Sequence, residues 1–464
     1  MNTYIFPKRI WTAEDAAAEH LVQKQPLQIG LAEQKTTTFR ENDYVILDYG
    51  SELCGGVRIL TWHADNVPVR IRFGESLSEC CSELGGRTNA TNDHSLRDVW
   101  VNLQNYSDMT FGQTGFRFVR LDFSGRVCIK SIVAVHRMLK KPTIYRYEGK
   151  DKTIRAIYDA AKRTIDLCAS SGYVWDGVKR DRLVWIGDMA PEVIALTTLY
   201  GRLACVERSL DFVKDQTPLP GWMNGMPAYS MWWIIVLSDY YERTGARAFV
   251  ERQLDYLAGL IRQMDGCVRE NGALDYPSYF VDWPTHGQPD EIMGVRAIHI
   301  MAMKRAIRLL GEFGKDTALA ERLLARLLKV EITVTSSKQV LALKHFATGL
   351  SDKDREMLVH GGARGMSTFM SYYILTAVAS FDKPAAVAMM KEYYGAMLDK
   401  GATTFWEDFD LAWCEGSGRI DEFSKPGEKD IHGDYGAFCY KGFRHSLCHG
   451  WSAGVIGFMK EQNL

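Results

Sequence analysis

The spacing of apolar residues changes once along this chain, near residue 145, from the period of strands to the period of helices. Before that point apolar and polar residues alternate in short runs, which is the pattern of half-buried strands. Gly- or Asn-rich segments separate several of these runs, which cover residues 44–50, 57–60, 69–73, 99–103 and 116–121. Short strands at this spacing are typical of two packed sheets, so we predict a β-sandwich over residues 1–145.

After residue 151 the apolar residues recur with the period of amphipathic helices. The helical segments are 152–169, 190–214, 228–245, 247–266, 288–312, 315–330, 352–361, 366–380, 382–397 and 450–462. About ten to twelve antiparallel helices are too many for a four-helix bundle, and they lack the fixed repeat length of a solenoid. We therefore predict a multidomain β + α chain in which residues 146–464 form a closed ring of helical hairpins, an (α/α)6 barrel.

Composition argues against several classes of partner. The net charge of −1 provides no basic field for nucleic acid or an anionic membrane. No run of about 18 uncharged apolar residues occurs that could span a membrane. The ten Cys residues contain no C-x-x-C pair, so we expect neither a zinc site nor a disulfide framework.

Because the N-terminus has no signal-like apolar segment, we expect a cytoplasmic protein, or a periplasmic one whose signal has been removed. The sequence leaves open whether the chain forms a homo-oligomer.

One segment, residues 176–188, is unusually dense in charge. It holds three carboxylates, three cations and an indole next to a run of apolar helix. A carboxyl between Arg180 and Arg182, close to a Trp185 ring that can stack on a sugar, is suited to the cleavage of a glycosidic bond. The same charges could instead form a buried ion-pair network that fixes a loop to a helix, and the segment alone does not decide between the two.

Hydrolysis of a glycoside needs a second carboxyl, which must come from elsewhere in the chain. Residues 398–449 break the helical pattern and are rich in aromatic and charged residues. In that loop Glu407 directly follows Trp406, an indole that could contact a sugar, and Glu407 is the natural candidate. Asp408 and Glu415 are its rivals, and a solvated loop carboxylate is the alternative reading.

A further interruption of the helical pattern covers residues 267–287. In a helical ring such long loops gather at one rim, and long loops without regular structure tend to be functional. Asp282 and Trp283 lie in this loop and could hold a sugar, although packing of a hairpin is nearly as good an explanation for them.

Three segments, taken together and in order, resemble motifs of glycoside hydrolase family 78, the α-L-rhamnosidases. They are residues 176–188, D-G-V-K-R-D-R-L-V-W-I-G-D, residues 401–407, G-A-T-T-F-W-E, and residues 446–451, S-L-C-H-G-W. Residues 47–50 and 115–119 are similar to the accessory, jelly-roll-like sandwich of that family. The resemblance covers nearly the whole chain.

This resemblance implies an inverting hydrolase that acts on terminal α-L-rhamnosyl or related sugars and needs no cofactor or metal. Asp181 would be the general acid and Glu407 the general base that deprotonates water. Inversion implies that the two carboxyls lie about 6.5–9.5 Å apart, which leaves room for the water. The residues implied to line the pocket are Asp176, Arg180, Trp185, Asp188 and His449.

One position departs from the family pattern, which usually has Glu where this chain has Asp181. The acid is therefore one methylene shorter than in the family. This difference keeps a sugar-binding pseudoenzyme open as an alternative. Within enzymes, the alternatives are another (α/α)6 exo-glycosidase, an unsaturated uronyl hydrolase, or a lyase, which would need a base for a C5 proton and a group that neutralises a uronate.

Overall fold

Eight strands make up most of the N-terminal part of the chain. The computed structural model describes residues 3–12, 18–30 and 35–464, apart from the Cys439 side chain. Within these residues the strands are β1 Thr3–Ile5, β2 Arg9–Thr12, β3 Thr37–Phe39, β4 Tyr44–Ala64, β5 Val67–Gly74, β6 Asp98–Leu103, β7 Ser107–Phe123 and β8 Val127–His136. They form one antiparallel sheet in the order β1-β8-β4-β7-β5-β6, with β2 paired to β4 and β3 paired to β8.

The five predicted strand segments all lie within these strands, and two of them belong to the same one. Residues 44–50 and 57–60 are parts of the 21-residue strand β4, which changes register near Gly55. A side chain at Gly55 would approach the Val135 carbonyl oxygen to 1.8 Å, so the strand can pass this point only as glycine. The C-terminal strand β8 was not predicted.

Helices dominate the chain after residue 151. The short helix α1, Leu77–Cys81, lies within the strand region, and the helices that follow in the described residues are α2 Lys152–Cys168, α3 Met189–Tyr200, α4 Ala204–Asp215, α5 Pro227–Thr244, α6 Arg247–Glu251, α7 Leu254–Asp265, α8 Glu291–Glu312, α9 Ala318–Leu327, α10 Lys338–Ala347, α11 Asp352–Val359, α12 Ser371–Ala379, α13 Lys383–Asp399 and α14 Val455–Glu461. Every predicted helical segment overlaps at least one of these helices, but α10 was not predicted. Gly201, with φ of 67°, ends α3 and divides the predicted 190–214 segment into two helices.

Six of the helices in the described part of the chain pack in a closed circuit. Helix α3 contacts α5, α5 contacts α8, α8 contacts α10, α10 contacts α12, α12 contacts α14, and α14 returns to α3. Nearly all of α3 and most of α5 are buried, as expected of helices that are covered on all sides. Helices α2, α9 and α13 pack against members of the circuit from outside and bury one face only.

The sheet packs against the long segment 400–450 of the helical part. The Arg117 guanidinium forms ion pairs with Asp48 of the sheet, at 2.9 Å, and with Asp421 of that segment, at 3.1 Å. The amide of Leu77 donates to the Ile420 carbonyl at 2.9 Å. These contacts fix α1 and its neighbours against the region that holds two of the three sequence motifs. Among the described residues, no helix is long and apolar enough to cross a membrane.

Candidate active site

Main-chain hydrogen bonds bring the three sequence motifs together. The amide of Gly450 donates to the Asp176 carbonyl at 2.6 Å, which joins the first motif to the third. The amide of Glu407 donates to the Ser446 carbonyl at 2.9 Å, which joins the second to the third. The first motif, more than 200 positions before the other two in sequence, thus forms one continuous framework with them.

A cleft of about 350 Å³ opens beside this framework. Six of the residues predicted from the sequence line it: Asp176, Asp181, Trp185, Asp188, Trp283 and His449. Residues that were not predicted also line it, and most are aromatic: Asn224, Tyr229, Tyr279, Phe280, His286 and Tyr440. A concave, largely aromatic surface with a few carboxyl groups is suited to a sugar, whose rings stack and whose hydroxyls need hydrogen-bond partners.

Asp181 is held in an uncommon backbone conformation at the edge of the cleft. Asp181 and Arg182 both have φ of 52°, a left-handed conformation that costs free energy in residues other than glycine and clusters at functional sites. The Asp181 carboxyl is half-buried, and its Oδ1 lies 3.0 Å from the Arg180 guanidinium and 3.2 Å from Nδ1 of His94. His94 belongs to the N-terminal part of the chain.

The two arginines that flank Asp181 in sequence have different roles. Arg182 donates to main-chain carbonyls of the sheet region, Gln113 at 2.8 Å and His94 at 2.7 Å. Among the ion pairs of the described residues, the Asp181 carboxyl is contacted by Arg180 and not by Arg182. Arg182 therefore fixes the strained loop in place, whereas Arg180 acts on the charge of the site.

Glu407 lies deeper than Asp181, with its side chain almost fully buried. Oε1 accepts from Arg180 at 2.5 Å and lies 3.4 Å from Nε2 of His449, and Oε2 accepts from the Ser446 amide at 2.9 Å. Burial raises the pKa of Glu407, while the Arg180 charge and the Ser446 amide lower it. The net pKa lies above its ordinary value, and the two donors limit the rise, which favours the ionised carboxylate that a general base requires.

Arg180 joins the two candidate catalytic carboxyls. One of its terminal nitrogens contacts Asp181 and the other contacts Glu407. Its Nε donates to the Arg444 carbonyl at 2.8 Å, and its guanidinium lies 4.5 Å from the centre of the Tyr440 ring. The guanidinium is thus fixed from several directions, and each of its terminal nitrogens contacts one of the two carboxyls.

Two more carboxyls surround the buried His449 imidazole. Its Nε2 lies 3.9 Å from Oδ2 of Asp176 and 3.8 Å from Oδ2 of Asp188. Burial, followed by the charge of Asp188, raises the pKa of Asp176 well above its usual range. Burial raises the pKa of Asp188 to about 8, against the opposing hydrogen bond from the Tyr229 hydroxyl. Burial and Arg180 keep the pKa of His449 low, so the imidazole is neutral.

The remaining predicted residues lie away from the surface of the main cleft. The Trp406 ring is fully buried and packs edge-on against Phe409 at 5.5 Å. Asp282 is buried, and its carboxyl accepts from the Ser367 hydroxyl at 2.6 Å and from the Thr285 amide at 3.0 Å. Asp282 and Glu407 border a separate cavity of about 10 Å³.

The two rivals of Glu407 occupy different environments. Glu415 is exposed and pairs loosely with Arg364 at 3.6 Å. Asp408 is half-buried, desolvation raises the pKa of its carboxyl to about 7, and its amide donates to the His445 ring at 3.1 Å. The ion pair that connects the second motif to Arg180 is made by Glu407.

A second group of buried titratable residues lies where the sheet meets the helical part. Ligand atoms of Glu75, Glu79 and His432 are close enough together to hold a metal ion. The Lys179 ammonium lies 3.1 Å from each of the two carboxyls and 3.5 Å from the His432 ring. Lys179 therefore supplies the positive charge at this position, and the cluster does not fit a metal.

Some residues at the site gave no signal in the sequence. Tyr229 lies inside α5, where it reads as core, and His94 lies in a loop of the strand region. Tyr279 and Phe280 belong to the loop at 267–287, which the sequence places near a functional rim. The sequence does not indicate that these two residues in particular line the cleft.

The fold is shared with solved structures of rhamnosidases. A rhamnosidase from Klebsiella oxytoca with rhamnose bound matches at a TM-score of 0.75 and 19% identity, over 100% of this chain and 96% of that one. A GH78 family rhamnosidase of Bacillus sp. GL1 matches at 0.70 and 18%, over 95% of this chain and 48% of that one. An α-L-rhamnosidase from Streptomyces avermitilis complexed with L-rhamnose matches at 0.67 and 17%, over 90% and 42%.

The chain thus spans nearly all of the Klebsiella protein but only about half of the other two. No protein-family model and no curated protein matches the sequence. At these identities the likeness establishes the fold, and it confirms the expected combination of a β-rich part with a helical part.

Proposed function

We propose that this protein is a glycoside hydrolase that removes terminal α-L-rhamnosyl or related sugar residues with inversion. The proposal rests on one observation: a single guanidinium contacts two carboxyls that differ in their burial. Asp181 is half-buried at the cleft, whereas Glu407 is buried behind it, and Arg180 contacts both. Two carboxyls in different environments are what an acid and a base at one glycosidic bond require.

In this mechanism Asp181 gives its proton to the glycosidic oxygen as the bond from that oxygen to the anomeric carbon breaks. A water molecule attacks the same carbon from the opposite face, and Glu407 takes the proton that the water loses. Because the new bond from the water oxygen forms on that face, the configuration at the anomeric carbon is inverted. Arg180 favours ionised Glu407, which suits the assignment of this residue as the base.

The cleft suits a neutral sugar better than a uronate. Among the described residues that line it there are three carboxyls and no Lys or Arg. A uronic acid would bring a negative charge to this surface, where no Lys or Arg among the described lining residues could neutralise it. Burial raises the pKa values of Asp176 and Asp188, which favours their neutral forms, and a neutral carboxyl can both donate to and accept from sugar hydroxyls. This favours a rhamnosyl-type substrate over the uronyl hydrolase and lyase alternatives.

The proposed architecture has an N-terminal β-sandwich over residues 1–145 and an (α/α)6 barrel over residues 146–464. The closed circuit of six helices supports the barrel. The structures from Klebsiella oxytoca and Streptomyces avermitilis, which share this fold, hold rhamnose, and this supports rhamnose as the sugar of the substrate. Trp185 and Trp283, both half-buried in the cleft, are the proposed stacking surfaces.

An aryl α-L-rhamnoside assay tests the proposal. The wild-type protein is expected to release the aryl group, and Asp181→Asn and Glu407→Gln are each expected to lower kcat by at least about a hundredfold, because each removes one proton transfer. Asp408→Asn is the matched control, since it neutralises the half-buried carboxyl next to Glu407 and is expected to keep most of the activity.

Activity that survives both Asp181→Asn and Glu407→Gln would refute the assigned roles. Binding of L-rhamnose without cleavage of any of a panel of aryl glycosides would identify a sugar-binding pseudoenzyme. Product absorbance from an unsaturated sugar would identify a lyase.

A further inference from the structure

Lys179 is a buried residue of the first motif, residues 176–188, and it holds the segment that directly precedes the third motif. Its ammonium donates to the main-chain carbonyls of Phe443, at 2.7 Å, and His445, at 2.5 Å. A buried ammonium is costly unless it is paired, and Lys179 is paired with Glu75 and Glu79, each at 3.1 Å. Both glutamates belong to the N-terminal part of the chain, which thereby reaches the segment next to the active site.

Glu75 makes the contacts that extend furthest into the site. It directly follows β5, and its side chain is fully buried. Oε1 accepts from the Ser446 hydroxyl at 3.0 Å, and Oε2 accepts from the Leu447 amide. With the Lys179 ammonium, three different donors converge on this one carboxyl, which fixes the position of residues 446 and 447.

Ser446 connects Glu75 directly to the proposed general base. Its amide donates to Oε2 of Glu407 at 2.9 Å, and its carbonyl accepts from the Glu407 amide at 2.9 Å. The side chain of Ser446 is therefore held by Glu75 while its backbone holds Glu407. One residue separates the carboxyl supplied by the N-terminal part from the carboxyl of the base.

We infer that Glu75 is a positioning residue for the reaction, which sets the place of the Glu407 carboxylate through Ser446 and Leu447. The inference rests on the proposed function for the role of Glu407. Its consequence is that the N-terminal part of the chain contributes to turnover, beyond any accessory role. Rates respond steeply to such placement, since a shift of about 1 Å in a reacting group can cost about a hundredfold.

The alternative is that Glu75 merely helps to hold the two parts of the chain together. In that case its loss would lower the fraction of folded protein but would not change kcat per folded molecule. Glu52 offers a matched control, because it is a buried glutamate of the same part of the chain; burial and the charge of Glu75 raise its pKa, so Gln resembles the neutral form that this shift favours. Among the hydrogen bonds of the described residues, its carboxyl makes none with residues 443–447, and its Oε1 is unpartnered.

The experiment compares Glu75→Ala, Glu75→Gln and Glu52→Gln with wild type on an aryl α-L-rhamnoside, with kcat corrected for the folded fraction. Glu75→Ala is expected to lower kcat by about ten- to a hundredfold, with KM within about threefold, because the cleft surface is unchanged. Glu75→Gln is expected to be intermediate, since its carbonyl can still accept from Leu447 while the Ser446 hydroxyl turns to the Cys448 carbonyl, 3.2 Å away. Glu52→Gln is expected to stay close to wild type.

The inference is overturned if kcat of Glu75→Ala falls no further than that of Glu52→Gln, or if KM rises in the same proportion as kcat falls. A second readout does not depend on activity. Crystal structures of wild type and Glu75→Ala are expected to show the Glu407 carboxyl displaced together with residues 446 and 447. An unmoved Glu407 carboxyl in Glu75→Ala would contradict the inference, whether or not the wild type cleaves a rhamnoside. A wild type that cleaves no rhamnoside would refute only the proposed function.

Discussion

Arg180 acts on two carboxyls at once, and the effect of its charge on Glu407 can be measured separately. Burial raises the pKa of Glu407 and the guanidinium opposes that rise. Replacing Arg180 with Met removes the opposing charge, so the pKa of Glu407 increases further. A general base works only when it is ionised, so the acidic limb of the kcat/KM profile is expected to move to higher pH, by about one to three units.

Arg182→Met is the control for this prediction. Arg182 donates to the main-chain carbonyls of Gln113 and His94, whereas the described ion pair of Glu407 with an arginine is made by Arg180. Its loss is expected to reduce stability and activity without moving the acidic limb. Equal shifts in both variants, or no shift in Arg180→Met, would show that Arg180 does not set the ionisation of the base.

At the scale of elements, helix α3 carries a buried carboxyl that its surroundings do not satisfy. Glu192 is fully buried, and neither of its carboxyl oxygens has a hydrogen-bond partner among the described residues. Burial, followed by the charges of Asp188 and Asp176, raises its pKa well above the usual range. A side chain at Gly450 would meet the Glu192 carboxyl at 1.8 Å, so the third motif packs directly on it.

The Glu192→Gln substitution should therefore stabilise the protein in a pH-dependent way. Because the folded-state pKa exceeds the unfolded value, folded Glu192 binds more protons, and its contribution to stability falls as pH rises from about 4.5 towards the folded pKa. Gln removes this dependence. The gain in unfolding free energy over wild type is expected to be larger at pH 7 than at pH 5, by about 1–3 kcal/mol.

Unfolding followed at both pH values checks this, with the exposed Glu331→Gln as the control that should show no such difference. A Glu192→Gln effect of the same size at pH 5 and pH 7 would mean that Glu192 is not held neutral in the folded protein.

The same scale shows where prediction from the sequence succeeds and where it stops. Most helices of the ring were predicted because they have a periodic apolar pattern. Helix α10 was missed because residues 338–343 are all buried, so the amphipathic period is absent. Strand β4 was predicted as two strands because Gly55 and Gly56 read as a break. Each instead sits where a side chain would strike a neighbouring backbone oxygen.

At the scale of the whole molecule, the site combines residues from both parts of the chain. The motifs indicated Asp181 and Glu407, since the residues that resemble the family are contiguous in sequence. The contact of Glu75 with Ser446 joins positions 371 residues apart. Local periodicity and motif spacing carry no information about such a contact, so the contribution of the N-terminal part became evident only from the structure.

The central claim is that Asp181 and Glu407 cleave an α-L-rhamnoside with inversion, and proton NMR of the reaction tests it most directly. The spectrum of the sugar is recorded during the first minutes of hydrolysis of an aryl α-L-rhamnoside, before the anomers equilibrate. We expect β-L-rhamnose to appear first and the α anomer to accumulate later, because water attacks the face opposite the leaving group. Initial release of α-L-rhamnose would contradict the account.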